Sequence, residues 1–543
     1  MKKVISLLVS AFLVLGIAFC TVGCGGSGGS AGEANVDVTF PLKESVTLKL
    51  MVMGTEDSSF KSQIENNGLW KRMKKETNVN VEFQFLGTEP SEKLTLLINS
   101  GNYGDAIVGG PVLNYISASR YIASGIFKDL TPFVNEEYMP NVSQKLKEKP
   151  EIIGMISGAD GKIYTLPYIY SFPGNSIESP IWMNGKWLSK LGLSAPKTID
   201  EFTNVLRAFR DNDPNGNGIQ DEIPYLVSVN REFYSLEALY GCWGMAFKNG
   251  NLDGFCQVVN GKVRFGPILD EYKEAVKYQA MLFDEGLMWN ECFTASSSTG
   301  LSKLTADPCL VGCFTSNTVP LSSYHDDYIC IDPPKVEGYE QAWYNNPSIV
   351  ASKDRFYVTN KCKYTAILLK WMDYFYNFEN AFEVEYGSES DGRYTVENGV
   401  YTIRDDLTTE QLNKIDKEHP TLLDLVDRFP HALTLEDYQN KIKDSSLKDQ
   451  ATAYDTYKKW AEKEIWPRPY FSKEDANTIY KLTTDIFYQV TTYRAKWITG
   501  KSDIDKEWDE YLSTLKNLKV DDMIKIMQNG YDAYLKNLEE ATK

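Results

Sequence analysis

The stretch VTLKLMVM, residues 46–53, alternates apolar and polar side chains as a strand does. A helix over 60–76 follows, then a second strand at 79–86 and a helix over 93–100 that Gly101 stops. Asp105-Ala-Ile-Val108 reads as a third, short strand. Strand, helix, strand, helix, strand is the order of an α/β lobe with a largely parallel sheet. Ligands of such sheets sit in loops beyond the carboxyl ends of the strands.

Working outward, a second lobe begins near Trp182, with an extended Ile181–Met183 and a helix over 186–191 that ends at Gly192. Pro267–Leu282 is amphipathic, and Cys309–Phe314 is a compact apolar strand. Ile367, Leu368, Trp371, Met372 and Phe375 share one side of a later helix. Toward the end, Trp508, Tyr511, Leu512 and Leu515 mark one helix, and Met523, Ile526, Met527, Tyr531 and Tyr534 another.

Thr198-Ile-Asp-Glu201 has capping-box spacing, and Phe202, Val205, Leu206 and Phe209 follow at helical intervals. That helix runs into DNDPNGNGIQDEIP, residues 211–224. Asp213, Asn215, Asn217 and Asp221 occupy alternate positions, with Ile219 offering a backbone carbonyl and Gly218 the sharp turn before it. An EF-hand loop begins this way, with ligands at positions 1, 3, 5, 7 and 9 and glycine at 6. Its final ligand departs from the pattern: position 12 is Pro224, so Glu222 closes the cage early. Asp213, Asn215, Asn217, Ile219, Asp221 and Glu222 are therefore the candidate ligands of a calcium ion. A plain turn uses the same residue types, but does not require the odd-position register. Calcium sensors open paired hands, so a single loop reads as a structural staple.

Lys2 and Lys3 precede an uncharged apolar run, Val4–Phe19, shorter than the ~20 residues that span a membrane. Gly23-Cys24 followed by Gly-Gly-Ser-Gly-Gly-Ser resembles a bacterial lipobox, with Thr21 where Leu is usual. We expect a signal peptide over 1–23, lipid on Cys24 and a flexible tether over 24–35, hence anchoring at the outer face of the cytoplasmic membrane. The net charge of -17 argues against nucleic acid or an anionic membrane surface as partner. Of nine cysteines, seven follow Cys24, in no zinc-like spacing, and there are only three histidines. Buried thiols or a few disulfides account for them.

Four stretches together resemble a known family. They are Asn99-Ser-Gly-Asn-Tyr-Gly-Asp105, Asp160-Gly-Lys-Ile-Tyr-Thr-Leu-Pro167, Trp187 through Phe202 continuing into the metal loop, and Ile498 through Trp508. Their order is similar to that of the extracellular solute-binding proteins, family 1, of ABC importers, in the large lipoprotein branch that includes alginate-binding proteins. The resemblance implies an α/β fold of two lobes, periplasmic-binding-protein-like and of class II type, with a hinge of three crossovers and a helical C-terminus. It also implies calcium in the loop. We place the crossings near 168–182, 335–348 and 465–475. This assigns 36–170 plus 346–465 to lobe 1, and 171–345 plus 466–543, with loop 213–222, to lobe 2.

The resemblance further implies a monomer that captures a carbohydrate, expected to be an oligosaccharide, and delivers it to permease subunits, with no catalytic residues. The alternatives are a lipid-anchored polysaccharide lyase or glycosidase, or a surface adhesin. Asn184-Gly-Lys-Trp187 replaces an Arg-Lys-Asp-Trp of many relatives, which leaves an anionic or a neutral sugar open. Sugar sites combine aromatic platforms with planar amides and carboxylates. At the expected crossings the aromatics are Tyr168, Tyr170, Trp343 and Tyr344, with Trp182 and Trp243 at the mouth of the second lobe. Asp105, Glu178, Asn345 and Asn346 are their polar companions.

Overall fold

The structure is a computed structural model that describes residues 37–55, 59–110, 112–172, 177–229, 235–247, 252–320, 322–345 and 352–543. The expected signal, lipidated Cys24, tether and Asn346 lie outside the described residues.

Two sheets organise the chain. In the first, strand Val46–Val52 runs parallel to Val79–Phe85 over its whole length, Val46 beside Val79, and parallel to Ala106–Val108 on its other side. Phe356–Val358 returns antiparallel on the edge. Leu48, Leu50, Met51 and Val52 are buried, so this strand is the centre of the lobe's core. The helix expected over 60–76 is two helices, Phe60–Asn66 and Gly68–Thr77. Asn67 leaves the helical conformation and its side chain accepts the Trp70 N–H, so local capping chemistry breaks the run.

The second sheet is mixed. Tyr328–Cys330, Ile181–Asn184 and Val311–Thr315 pair antiparallel in that order, and Ile223–Leu226 lies parallel to Val311–Thr315. Phe209 and Trp187 pack edge to face beneath it. A smaller unit is attached to the first lobe: Tyr394–Glu397, Val400–Ile403 and Ile442–Lys443 form a three-stranded sheet over a core of Phe382, Tyr394 and Tyr438.

The chain crosses between the sheets three times, and the crossing segments are stitched to one another. Tyr168 bridges Ser352 and Ile177 bridges Asn345, joining the first to the second; Trp343 bridges Ala461, joining the second to the segment that leads into the third. Residues 448–457, placed in lobe 1 by the sequence, form a helix that packs on strand Tyr328–Cys330 of the second sheet. Asp449 there meets the His325 imidazole at 3.1 Å and accepts the Val319 N–H.

The C-terminal helices Ala476–Ile498, Ile504–Asn517 and Val520–Thr542 close the molecule. The first packs on helix Asp270–Asp284 and also on first-lobe helix Tyr115–Ala123, and the last on Glu151–Ile156. The seven cysteines after Cys24 form no disulfide; six are buried and one, Cys330, partly so. Burial pushes the Cys362 thiol up to about 11 and Cys292 to about 12, so they pack as neutral groups.

Candidate functional site

Two places carry polar chemistry beyond packing. The first is the loop after helix Ile199–Asp211, whose Thr198–Glu201 capping box forms as expected. Asp213, in the left-handed region at φ 41°, accepts the N–H groups of Gly216, Asn217 and Gly218 at 2.9–3.2 Å. Asn217 Oδ1 accepts the Ile219 N–H at 2.7 Å, and the Asn215 and Asn217 amides donate to Asp221. Ile219 turns its side chain outward, 61% exposed.

Glu222 is different. Both its carboxylate oxygens are sealed from solvent without a hydrogen bond. Burial holds its carboxyl above the ordinary value, and Asp213 and Asp221 add to the shift. Among the described residues no three acidic, histidine or cysteine side chains converge into a metal cluster. The remaining oxygen donors are the two Asn amides and the Ile219 carbonyl. A carboxylate sealed from solvent with no well-formed hydrogen bond, near two acids and eased only by the Glu222 and Asn215 backbone N–H groups, fits a hard cation, which would take the place now held by amide N–H groups at Asp221.

The second place is the junction of the crossing segments with the first lobe. Past Val108 the chain turns through Gly109 and Gly110 at the carboxyl end of the sheet. Gly109 sits at φ 70°, where a Cβ would fall 2.4 Å from the Asp427 carbonyl, so this approach requires glycine. Arg355, buried, donates from Nη1 to the Gly110 carbonyl at 3.0 Å. Burial pulls its guanidinium below the usual arginine range, and the nearby Arg428 adds to this. Tyr168 and Tyr170 stack with ring centres 5.8 Å apart and 15° between planes, and Phe172 and Tyr438 pack against Tyr170. Burial raises both phenols well above 10, and the Glu385 carboxylate adds to this for each.

The other sequence candidates divide between the hinge and the cores. The Trp343 indole donates to the Glu178 carbonyl at 2.8 Å and packs at a tilt against Tyr457, while Tyr344 is buried beside it. Asn345 donates to the Glu462 carbonyl at 3.0 Å. Trp182 lies in the second sheet with its indole on the Ser316 carbonyl, and Trp243 packs on Tyr278. Both are almost fully buried in the second-lobe core. Asp105 accepts the Lys49 N–H at the amino end of strand Ala106–Val108, opposite the Gly109–Gly110 turn. Sequence reasoning did not pick out Glu385, Arg355, Asp427, Arg428 or His431, which tertiary contact brings to this junction. Their one signal is a cluster of charge, Asp427-Arg428 before Phe-Pro-His431, in a loop.

The family model described as bacterial extracellular solute-binding protein matches residues 54–289 of this chain. The chain is 28% identical over 517 residues to the fructooligosaccharide ABC transporter substrate-binding protein FusA of Streptococcus pneumoniae, covering 92% of this chain and 93% of that protein. A solute-binding protein described as binding HMO, from Bifidobacterium longum infantis, superposes with a TM-score of 0.78 at 24% identity, over 91% of this chain and 99% of the other. An EF-hand mutant of FusA in complex with fructo-nystose gives a TM-score of 0.75 at 24% identity, covering 90% and 100% of the two chains.

Proposed function

We propose that the protein is the receptor of an ABC importer. It closes two lobes on an oligosaccharide outside the cytoplasmic membrane, then passes the sugar unaltered to permease subunits. The observation that carries this reading is the Tyr168–Tyr170 step, set where the crossing segments meet the carboxyl end of the first sheet, with Glu385, Asp427 and Arg428 around it. Tyr168 is buried, so Tyr170, the more exposed of the two, is the ring offered to sugar C–H groups, and mixed charges offer donors and acceptors to its hydroxyls. On this reading Glu178, Tyr344 and Asn345 belong to the hinge side of the cleft, and the Trp343 indole, donating to the Glu178 carbonyl, holds that side together. The relative matched over nearly the whole chain is named for a fructooligosaccharide, which favours a neutral sugar here.

On this reading the protein is a monomer and not an enzyme. It is held to the membrane only through lipid on Cys24. Calcium in the 213–222 loop is structural, held by Asp213, Asn215, Asn217, Asp221, Glu222 and the Ile219 carbonyl. An EF-hand variant having been made in a relative supports this reading of the loop.

The test is a calorimetric titration of the purified protein with fructo-nystose, other neutral oligosaccharides and uronate oligosaccharides, followed by product analysis. Saturable binding of a neutral oligosaccharide, recovered intact, is expected. Shortened products would make the protein an enzyme, and binding confined to uronates would overturn the neutral assignment.

A further inference from the structure

Strand register places Arg355. Edge strand Phe356–Val358 runs antiparallel to Ala106–Val108 with Phe356 beside Val108, so Arg355 comes level with Gly109, whose N–H donates to the Arg355 carbonyl at 2.7 Å. Three residues earlier, Ser352 exchanges main-chain hydrogen bonds with Tyr168 at 2.8 and 3.2 Å. One short segment therefore reaches both the glycine turn at the carboxyl end of the first sheet and the crossing that carries Tyr168 and Tyr170.

The Arg355 side chain is a buried cation with an incomplete set of partners. Only Nη1 is used, donating to the Gly110 and Asp354 carbonyls at 3.0 and 3.3 Å. Nε is sealed from solvent with no acceptor, Nη2 also makes no hydrogen bond, and among the described residues no carboxylate pairs with the guanidinium. The two acids whose charge reaches it are engaged elsewhere. Asp354 Oδ1 accepts the Tyr357 and Tyr470 hydroxyls at 2.7 and 3.0 Å, and Asp427 lies 3.9 Å from Arg428 Nε. A buried arginine is ordinarily paired, and orphaned donors of a buried charge cost free energy. Holding the Gly110 turn needs only one N–H, so the remaining hydrogens call for acceptors that the chain does not supply.

We propose that Arg355 is a specificity-determining residue of the receptor: its uncommitted hydrogens, on Nη2 and Nε, donate to oxygens of one sugar unit seated at the Gly109–Gly110 turn. This rests on the reading that the junction holds the solute. The planar fork of a guanidinium takes a pair of oxygens at fixed spacing, which a single ammonium cannot do. Arg355 and Arg428 stand against Asp354 and Asp427, so these four charges sum to zero. Hydroxyl and acetal oxygens suit such a place, and a uronate carboxylate meets no excess of positive charge there.

The test compares wild type with Arg355→Lys, which keeps the charge and a donor for the Gly110 carbonyl but has no fork. The melting temperature of the solute-free protein should stay within about 2 °C, while calorimetric affinity for fructo-nystose should fall about 100-fold. A variant that binds as tightly as wild type overturns the proposal. Should the variant melt early, a crystal structure of wild type with fructo-nystose decides: Nη2 or Nε must lie within about 3.2 Å of a solute oxygen. A guanidinium that touches no solute atom makes Arg355 structural only. If wild type prefers a uronate oligosaccharide and loses that affinity in Arg355→Lys, the residue's role stands and the neutral class falls. If wild type binds neither kind of oligosaccharide, the receptor reading falls and this inference with it.

Discussion

Arg494→Leu is expected to destabilise the protein by about 3–5 kcal/mol, because it strands a buried carboxylate. Arg494 lies in helix Ala476–Ile498, 4% exposed, and its Nη1 donates to Oε1 of Glu237, 3% exposed. Burial alone would pull the guanidinium down, but Glu237, with Tyr240 and Tyr272, outweighs it and holds it above the usual arginine range. The pair anchors the long helix to the second lobe at Ala238–Trp243. The same helix reaches the first lobe through Arg120, which donates to Asn477 at 3.2 Å and covers the Tyr480 ring. Denaturant unfolding checks the loss. Replacing both partners, Arg494→Met with Glu237→Leu, should cost much less than Arg494→Leu alone, since no buried charge is left unpaired. A loss below about 1 kcal/mol in the single variant would show that Glu237 finds water or another partner.

Removing calcium is the second large effect. By mass action an ion at one hundred times its Kd adds about 2.7 kcal/mol, so a chelator should lower the melting temperature of the wild type and leave Asp213→Ala nearly unchanged. The pH dependence has a definite sign. Glu222 is raised in the folded chain, so without metal its contribution favours the fold below the ordinary value of 4.5 and is lost as pH rises through the raised value. Calcium binds the ionised carboxylate, so the chelator's effect should be larger at neutral pH than near pH 4.5. Solute affinity should change little, because the loop closes a helix of the second lobe away from the Tyr168 junction. If chelator, Asp213→Ala and Asp221→Ala all leave melting unchanged, the loop is only a turn.

The three strands of the first lobe were legible because alternation and apolar runs of a parallel sheet leave a period in the sequence. Edge strands Phe356–Val358 and Tyr328–Cys330 are three residues each, as short as Ala106–Val108, but neither follows a helix stop such as Gly101 that would mark it. The small unit over Phe382, Tyr394 and Tyr438 was missed for another reason: its core is drawn from separate segments, none apolar enough alone. At the junction, Tyr168 and Tyr170 could be named from their place in a crossing. Glu385, His431 and Arg428 could not, because only the pairing of Ile169–Tyr170 with Ala432–Leu433 brings them there. Trp343 shows the opposite failure. An aromatic in a polar stretch reads as a platform, yet its indole is satisfied by a carbonyl and its ring is covered by Tyr457.

Small-angle scattering with and without a saturating neutral oligosaccharide tests the two-lobed receptor most directly. A chain that crosses a stitched hinge three times and closes on solute should show a smaller radius of gyration when bound, with the sugar recovered whole. Unchanged dimensions at full saturation would contradict closure.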